Sequence, residues 1–170
     1  MIPSLGPYAF LPDRFDFMID QDRLVLAAAM PITEDEYYKD RGISWGSLHA
    51  LLVHAMGSQW VWLNRFLGTS IPKPLTAADC PTRDELAQRW PEVHSAYKGF
   101  LARQTLTALN APLTFTNFRG ETHTLPLGQL LMHVADHGTY HRGQINSLLK
   151  ICGGKPTDPS YYPWRMKHPL

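Results

Sequence analysis

The segment that most constrains the fold runs from Leu125 to Leu149 and carries three histidines spaced four residues apart. Read as a helix, it has an apolar stripe with the i, i+3, i+4, i+7 spacing of a buried helix face. The stripe consists of Leu127, Leu130, Val134, Ile145 and Leu148. The pattern therefore predicts a long helix with one buried face.

The three histidines take different positions around this predicted helix. At ~100° per residue, His141 lies at the centre of the stripe, His137 about 40° away, and His133 a further step of the same size on the flank. Two imidazoles on adjacent turns can bind one metal ion from a single face. They can also be core histidines whose ring nitrogens have polar protein partners. Because two histidines do not complete a metal site, the metal hypothesis needs a third ligand from elsewhere in the chain.

A second long helix is predicted from about Trp45 to Leu67, with Ser44 as its N-cap. The helix is apolar nearly all round, which is typical of a helix buried on several sides. Small residues surround His54 on one stripe, and they are Ser47, Ala50, Gly57 and Ser58. Such a stripe either leaves room for a pocket or packs closely against a neighbour, with the histidine bonded to a carbonyl.

Beside a histidine pair on the later helix, His54 is the candidate for the third ligand. His49 lies about 140° away from His54 on the same helix, so it is predicted to be a surface residue. His123 lies in a Thr- and Phe-rich stretch (113–125) that reads as a β-hairpin turning at Arg119-Gly120, and it is predicted to be exposed.

The remaining helices are marked by caps and breakers. An alanine-rich helix is predicted from about Asp16 to Met30, and a short helical turn after Thr33. A third long helix is predicted from Thr82 to about Leu109, with a kink or break near Trp90 caused by the following proline. The last long helix is predicted to carry Pro126 in its first turn.

Composition narrows the functional classes. The chain holds 16 Lys+Arg against 15 Asp+Glu, with no basic patch interleaved with aromatics, so nucleic acid is not an expected partner. No run approaches the ~18 consecutive apolar residues of a membrane span, so no membrane association is expected. With 170 residues and 44% hydrophobic content, we expect one globular domain spanning residues 1–170.

Cysteine usage and the N-terminus bear on the compartment. Cys80 and Cys152 are far apart, without a CxxC, and nothing in the sequence supports a disulfide between them. The first residues lack a charged segment followed by an apolar one, so no signal peptide is visible. We therefore expect a reduced, cytoplasmic protein.

Two stretches resemble a known family. HVADHGTYHRGQI, from His133 to Ile145, resembles the HxxxHxxYHRGQ signature of DinB-like proteins, which lies on the last helix of a four-helix bundle. SWGSLHALLVHAMGSQWVWLNRFLG resembles the family's second helix, and the hairpin with Gly120 matches its two-strand insert. The resemblance covers roughly residues 12–155. It implies an all-α, up-down four-helix bundle with long crossovers and a small β-hairpin before the last helix.

The resemblance also implies a divalent metal ion held by His54, His137 and His141. His133 matches the signature as a non-ligand that forms a hydrogen bond between helices. Arg142 is implied to clamp a carboxylate or carbonyl, and Gln144 to orient a ligand ring. Imidazole ligands suit zinc, nickel, copper or iron, and zinc or nickel is the first expectation, with iron next.

Three histidines leave coordination positions open, as in catalytic rather than structural sites. Family members include thiol-dependent S-transferases and a thiol-dependent isomerase, so we expect a metal-dependent enzyme of the S-transferase or hydrolase type. Its partner would be a small-molecule substrate, with a low-molecular-weight thiol as one candidate. The alternative is a non-catalytic metal-binding or stress-associated protein. Family members often dimerise, and the all-round apolar second helix makes a homodimer a candidate state.

Several other chemistries lack their motifs. The sequence contains no HExxH motif, which argues against a zincin protease. It also contains no Glu-x-x-His pair, which argues against a di-iron bundle. Asp136 and Tyr140 both point off the inward face of the predicted helix. We assign neither of them as catalytic, and the catalytic residues stay unassigned.

Overall fold

The computed structural model describes residues 5–43 and 45–169. Four long helices dominate: α1 (Leu11–Ala29), α3 (Leu48–Phe66), α4 (Arg83–Leu101) and α6 (Leu127–Ile151). Shorter elements are α2 (Glu34–Tyr38), α5 (Leu106–Asn110), α7 (Tyr161–Lys167) and the strands β1 (Pro112–Thr116) and β2 (Thr122–Pro126). The predicted all-α class with a small hairpin before the last long helix is confirmed.

The long helices form a closed ring in which α6 packs between α1 and α3, and α4 packs against the other sides of α1 and α3. Neighbouring side chains give the helix directions. His54 of α3 meets His141 of α6, whereas Trp62, further along α3, meets His133, earlier in α6. Helices α3 and α6 are therefore antiparallel.

The same comparison shows that α1 runs antiparallel to α4. Phe15, near the start of α1, contacts Tyr97, whereas Asp22, further along α1, contacts the earlier His94. Helix α1 runs parallel to α6, since Arg14 approaches Asp136 and Asp22 approaches Arg142.

These directions mean that α3 and α4 run the same way. The order is up-down-down-up, and the parallel helices α3 and α4 are joined by a long crossover of the kind expected from the sequence. Residues 67–82 must cross the length of the bundle to connect the two parallel helices, which brings this loop over one face of α3.

Local sequence signals explain most helix ends. Thr33, Ser47, Thr82 and Thr105 each cap a helix by accepting a hydrogen bond from a backbone N–H three residues on. Helix α3 thus begins at Leu48 with Ser47 as its cap, three residues later than predicted, and Ser44 lies outside the described residues. Gly68, with φ of +80°, follows the C-terminal end of α3.

Two proline-dependent features differ from the predictions: α4 has no break near Trp90, and Pro126 does not lie in the first turn of α6. Pro91 lies inside α4, which runs without a break past Trp90, because that tryptophan is fully buried and its Nε1 donates to Gln59 Oε1 of α3 at 3.0 Å. Such tertiary packing offsets the backbone bond that proline removes. Helix α4 ends at Leu101 rather than near Leu109, and the separate α5 follows. Pro126 is the last residue of β2 and the N-cap of α6.

A polar cluster in the bundle interior joins all four long helices. The Asp22 carboxylate of α1 accepts from Arg142 of α6 at 2.9 Å, from Gln59 of α3 at 2.7 Å and from His94 of α4 at 3.2 Å. All four side chains are at most 2% exposed. Buried charges persist only where partners like these compensate them.

His49 is buried, so the prediction of a surface position is wrong. Its ring nitrogens lie 2.8 Å from the Cys80 carbonyl and 3.3 Å from the Tyr37 hydroxyl. The α3–α4 crossover and α2 cover this side of α3, which a helical wheel does not reveal. Cys80 and Cys152 are both buried and free. Within the described ranges, no helix is long and apolar enough to span a lipid bilayer.

Candidate metal centre

The three predicted ligands converge between α3 and α6. His54 reaches across from α3, while His137 and His141 project from adjacent turns of α6. The Nε2 atom of His141 lies 3.1 Å from Nε2 of His54 and 3.1 Å from Nε2 of His137. One ring nitrogen from each of the three histidines lies within 4.8 Å of the other two.

This spacing suits a shared divalent cation. Zinc binds imidazole nitrogen at about 2.0–2.1 Å, so two nitrogens on a tetrahedral ion are separated by about 3.3 Å. Helix α6 provides the first pair because its i and i+4 residues face the same way. The antiparallel packing of α3 adds His54 opposite them.

The residues around His141 leave its Nε2 free to bind a metal. Its Nδ1 donates to Gln144 Oε1 at 2.7 Å, and the Gln144 amide in turn donates to the Tyr140 hydroxyl at 3.2 Å. A neutral imidazole protonated at Nδ1 carries its lone pair on Nε2. Gln144 thus contacts the His141 ring as predicted, its role as support for a metal ligand stays a prediction, and the donor set fits a divalent metal ion.

His54 is held by an aromatic ring that the sequence analysis did not single out. The Trp45 indole stacks on its imidazole, with ring centroids 3.7 Å apart and planes 15° from parallel. Ser58 Oγ lies 3.4 Å from His54 Nε2. No local pattern points to Trp45, because it precedes α3 and reaches the ring through the chain path that leads into the helix.

Burial keeps the three imidazoles neutral. Desolvation, together with a smaller effect of the neighbouring histidines, lowers the pKa of His54 to about 3 and that of His137 to about 4. Burial also lowers the pKa of His141, although its bond to Gln144 opposes the shift. Neutral imidazole is the form that binds metal, so these shifts extend metal-binding competence into acidic solution.

A cavity of about 250 Å³ opens beside His54 and His137. The small residues on α3 serve both the pocket and close packing, although no carbonyl bonds His54 among the described residues. A Cβ on Gly57 would lie 3.0 Å from Leu75 Cβ, so that glycine permits close packing of the crossover loop. Ser58 borders the open space. A larger cavity, of about 540 Å³, lies between α1 and α7 and has none of the three histidines in its lining.

The other residues of the signature stand apart from the ligands. His133 is exposed, and its ring packs on Trp62 at 5.2 Å; no hydrogen bond of its side chain is found among the described residues, unlike the expected role. Arg142 clamps the Asp22 carboxylate as predicted. Asp136 faces solvent and approaches Arg14. Tyr140 is 63% exposed, and its ring centroid lies 5.0 Å from that of His141.

Comparison with known proteins agrees with this architecture. The model of the DinB family matches residues 15–169. The chain belongs to the DinB family. It is 24% identical over 155 residues to Protein DinB of Bacillus subtilis (strain 168), a match that covers 87% of this chain and 90% of the relative. It is 31% identical over 151 residues to Uncharacterized protein YkkA of the same organism, covering 78% and 82%. The DinB resemblance read from the sequence is thereby confirmed.

Proposed function

We propose that this DinB-family protein is a metal-dependent enzyme that acts on a small-molecule substrate, as a thiol-dependent S-transferase or a hydrolase. His54, His137 and His141 are the proposed ligands of one divalent ion. The observation that carries the proposal is the convergence of three neutral imidazole Nε2 atoms at the wall of a cavity. In a structural site, a fourth protein ligand would instead complete the coordination of the ion.

The chemistry of such a site follows from its ligands and its lining. A divalent ion with an open position acidifies a water or thiol that it binds, which supplies a nucleophile near neutral pH. Gln144 holds the His141 ring in the tautomer that exposes Nε2, and Trp45 fixes the His54 ring from the other side. None of the described residues that line the cavity is acidic. A thiol ionises readily without a carboxylate base. The lining therefore favours a thiol as the nucleophile over one that a carboxylate must deprotonate.

The remaining features of the proposal concern the state of the protein. Zinc or nickel is the proposed ion, with iron next, since all three accept imidazole. We propose that residues 1–170 form one DinB-like domain that acts in the cytoplasm. The homodimer stays a prediction, but its sequence argument is weaker, because most of the apolar residues of α3 are buried in the core of the chain itself.

Metal analysis of the purified, tag-free protein tests the site. We expect about one transition-metal ion per chain, and loss of that ion in His54→Ala, His137→Ala and His141→Ala. His123→Ala is the matched control, because that histidine is exposed on β2. A wild-type protein that stays metal-free after reconstitution with zinc or nickel would contradict the proposal.

A non-catalytic metal-binding or stress-associated protein is the second candidate. The absence of an acidic residue among the described lining of the cavity favours it, because a general base is then lacking. Turnover of a low-molecular-weight thiol with a chromogenic electrophile separates the two. Metal-dependent turnover that His141→Ala abolishes supports the enzyme, whereas full metal loading without turnover across thiols and ester substrates supports the binding protein.

A further inference from the structure

Arg65 brings a positive charge into the cavity that His54 and His137 border. Its guanidinium carbon lies between 4.7 and 5.2 Å from the centroids of three aromatic rings, those of Trp62, Phe115 and Phe118. Its Nη2 donates to the Thr116 carbonyl of the hairpin at 3.3 Å. The hairpin therefore holds the guanidinium in place but supplies no negative charge to it.

The charge of Arg65 is not neutralised within the described residues. No carboxylate there forms an ion pair with it, whereas Arg14, Arg41 and Arg142 each have one. Burial lowers the pKa of the Arg65 guanidinium, which reflects the cost of holding a cation away from water. The guanidinium of Arg65 has five N–H donors, and its bond to the Thr116 carbonyl uses one of them. The other N–H groups can donate to a ligand.

The placement of Arg65 relative to the histidines follows from helix geometry. His54 and Arg65 are eleven residues apart in α3, which is close to three full turns, so they share one face about 16 Å apart along the axis. Helical side chains lean toward the N-terminus, which brings the guanidinium toward His54. The apolar walls of the cavity, including Val61 and Leu75, lie on the same stretch of surface.

We infer that Arg65 binds a carboxylate of the small molecule on which the site acts, several bonds away from the atom that reacts. The planar guanidinium fork matches a carboxylate in a bidentate geometry. Aromatic and aliphatic walls suit an apolar spacer between the two ends. The position of the reacting atom at the histidines rests on the proposed function, whereas the carboxylate anchor rests on Arg65 itself.

A matched pair of thiols tests the inference on cobalt-substituted protein, with binding followed by the thiolate-to-cobalt absorption band. We expect wild type to bind mercaptohexanoate about tenfold more tightly than mercaptohexanol. A single charge-assisted hydrogen-bonded pair between Arg65 and the carboxylate accounts for a difference in affinity of this size. Arg65→Gln removes this preference and Arg65→Lys retains part of it. Arg119→Gln keeps it, because that side chain is exposed at the hairpin turn and the charge change is the same. An equal preference in wild type and Arg65→Gln, or none in wild type, overturns the inference.

A second pair of ligands separates failure of the anchor from failure of the metal site. Hexanoate and hexanol are titrated into metal-free full-length protein, and amide NMR shifts report binding. Loss of the hexanoate preference in Arg65→Gln supports the anchor even if the protein binds no cobalt, in which case only the proposed function fails. Equal shifts with both ligands in wild type overturn the anchor.

Discussion

Arg142 donates from Nη1 to the Asp22 carboxylate at 2.9 Å, and both residues are 1% exposed. The residue before this arginine is His141, which faces α3 rather than α1. The ion pair therefore fixes the rotation of α6 about its axis. Gly138 permits the arrangement, because a Cβ there would lie 2.9 Å from Arg142 Nη1. A structural pair on one side of the helix thus orients the candidate ligands on the other.

Removing the charge of Asp22 should destabilise the bundle strongly. Asp22→Asn leaves the buried Arg142 without its counter-charge, which costs about 3–5 kcal/mol in the free energy of unfolding. Urea unfolding of the metal-free protein measures the loss. The control is Asp136→Asn, whose side chain is 67% exposed and 3.8 Å from Arg14, and which should cost less than about 1 kcal/mol. Equal losses in the two variants would contradict the structural role given to Asp22.

Gln144 should affect metal affinity more than stability. Gln144→Leu removes the acceptor for His141 Nδ1, so the tautomer that exposes Nε2 is no longer favoured, and zinc affinity should fall about 10- to 100-fold. Competition with a chromophoric chelator measures the affinity. Ser147→Ala, on an exposed position of the same helix, serves as the control and should bind zinc as wild type does. Unchanged affinity in Gln144→Leu would remove Gln144 from the site.

Two histidines of α3 should respond in opposite ways to substitution. His49→Leu leaves the buried Cys80 carbonyl without its partner, so the free energy of unfolding should fall by about 1–3 kcal/mol while metal content stays at the wild-type level. His54→Leu should lose the metal while the metal-free protein keeps its stability. Chemical unfolding and metal analysis of both variants check this pairing. Loss of metal in His49→Leu with a stable fold would contradict it.

Acid should destabilise the metal-free protein through the histidine cluster. The folded-state pKa is about 3 for His54 and about 4 for His137, against an ordinary value of 6.5. Below pH 6.5 the unfolded chain binds more protons than the folded one, so stability falls as the pH decreases from 6.5 to about 4. Unfolding of wild type and of a His54→Gln/His137→Gln variant is compared across this range. We expect a smaller slope in the variant, and identical slopes would rule out this source of pH dependence.

The candidate ligands could be predicted from the sequence because their signal is local. His137 and His141 are four residues apart on one helix, and that spacing alone places them on the same face. The predicted hairpin and most helix caps depend on equally local chemistry, such as the hydroxyl of Thr82 in the first turn of α4. His54 required more than spacing: the small residues around it on α3 made it the candidate third ligand, and the resemblance to DinB-like proteins implied the same residue.

Long-range packing decided what the sequence did not reveal. His49 is buried because a crossover loop that connects two parallel helices covers it, and Trp90 continues its helix through the following proline because Gln59 binds it from α3. A helical wheel describes one helix in isolation, so it cannot tell which neighbour covers a face.

By itself, the sequence determined the existence of the four long helices, the hairpin and the histidine pair on α6. Each of these features depends on residues only a few positions apart in the chain. Only the tertiary structure decided the direction of the helices, the interior cluster around Asp22 and the meeting of Arg65 with the cavity beside His54. Those features depend on which faces are brought together across the bundle, and that is settled by the burial of the whole apolar core rather than by any one segment.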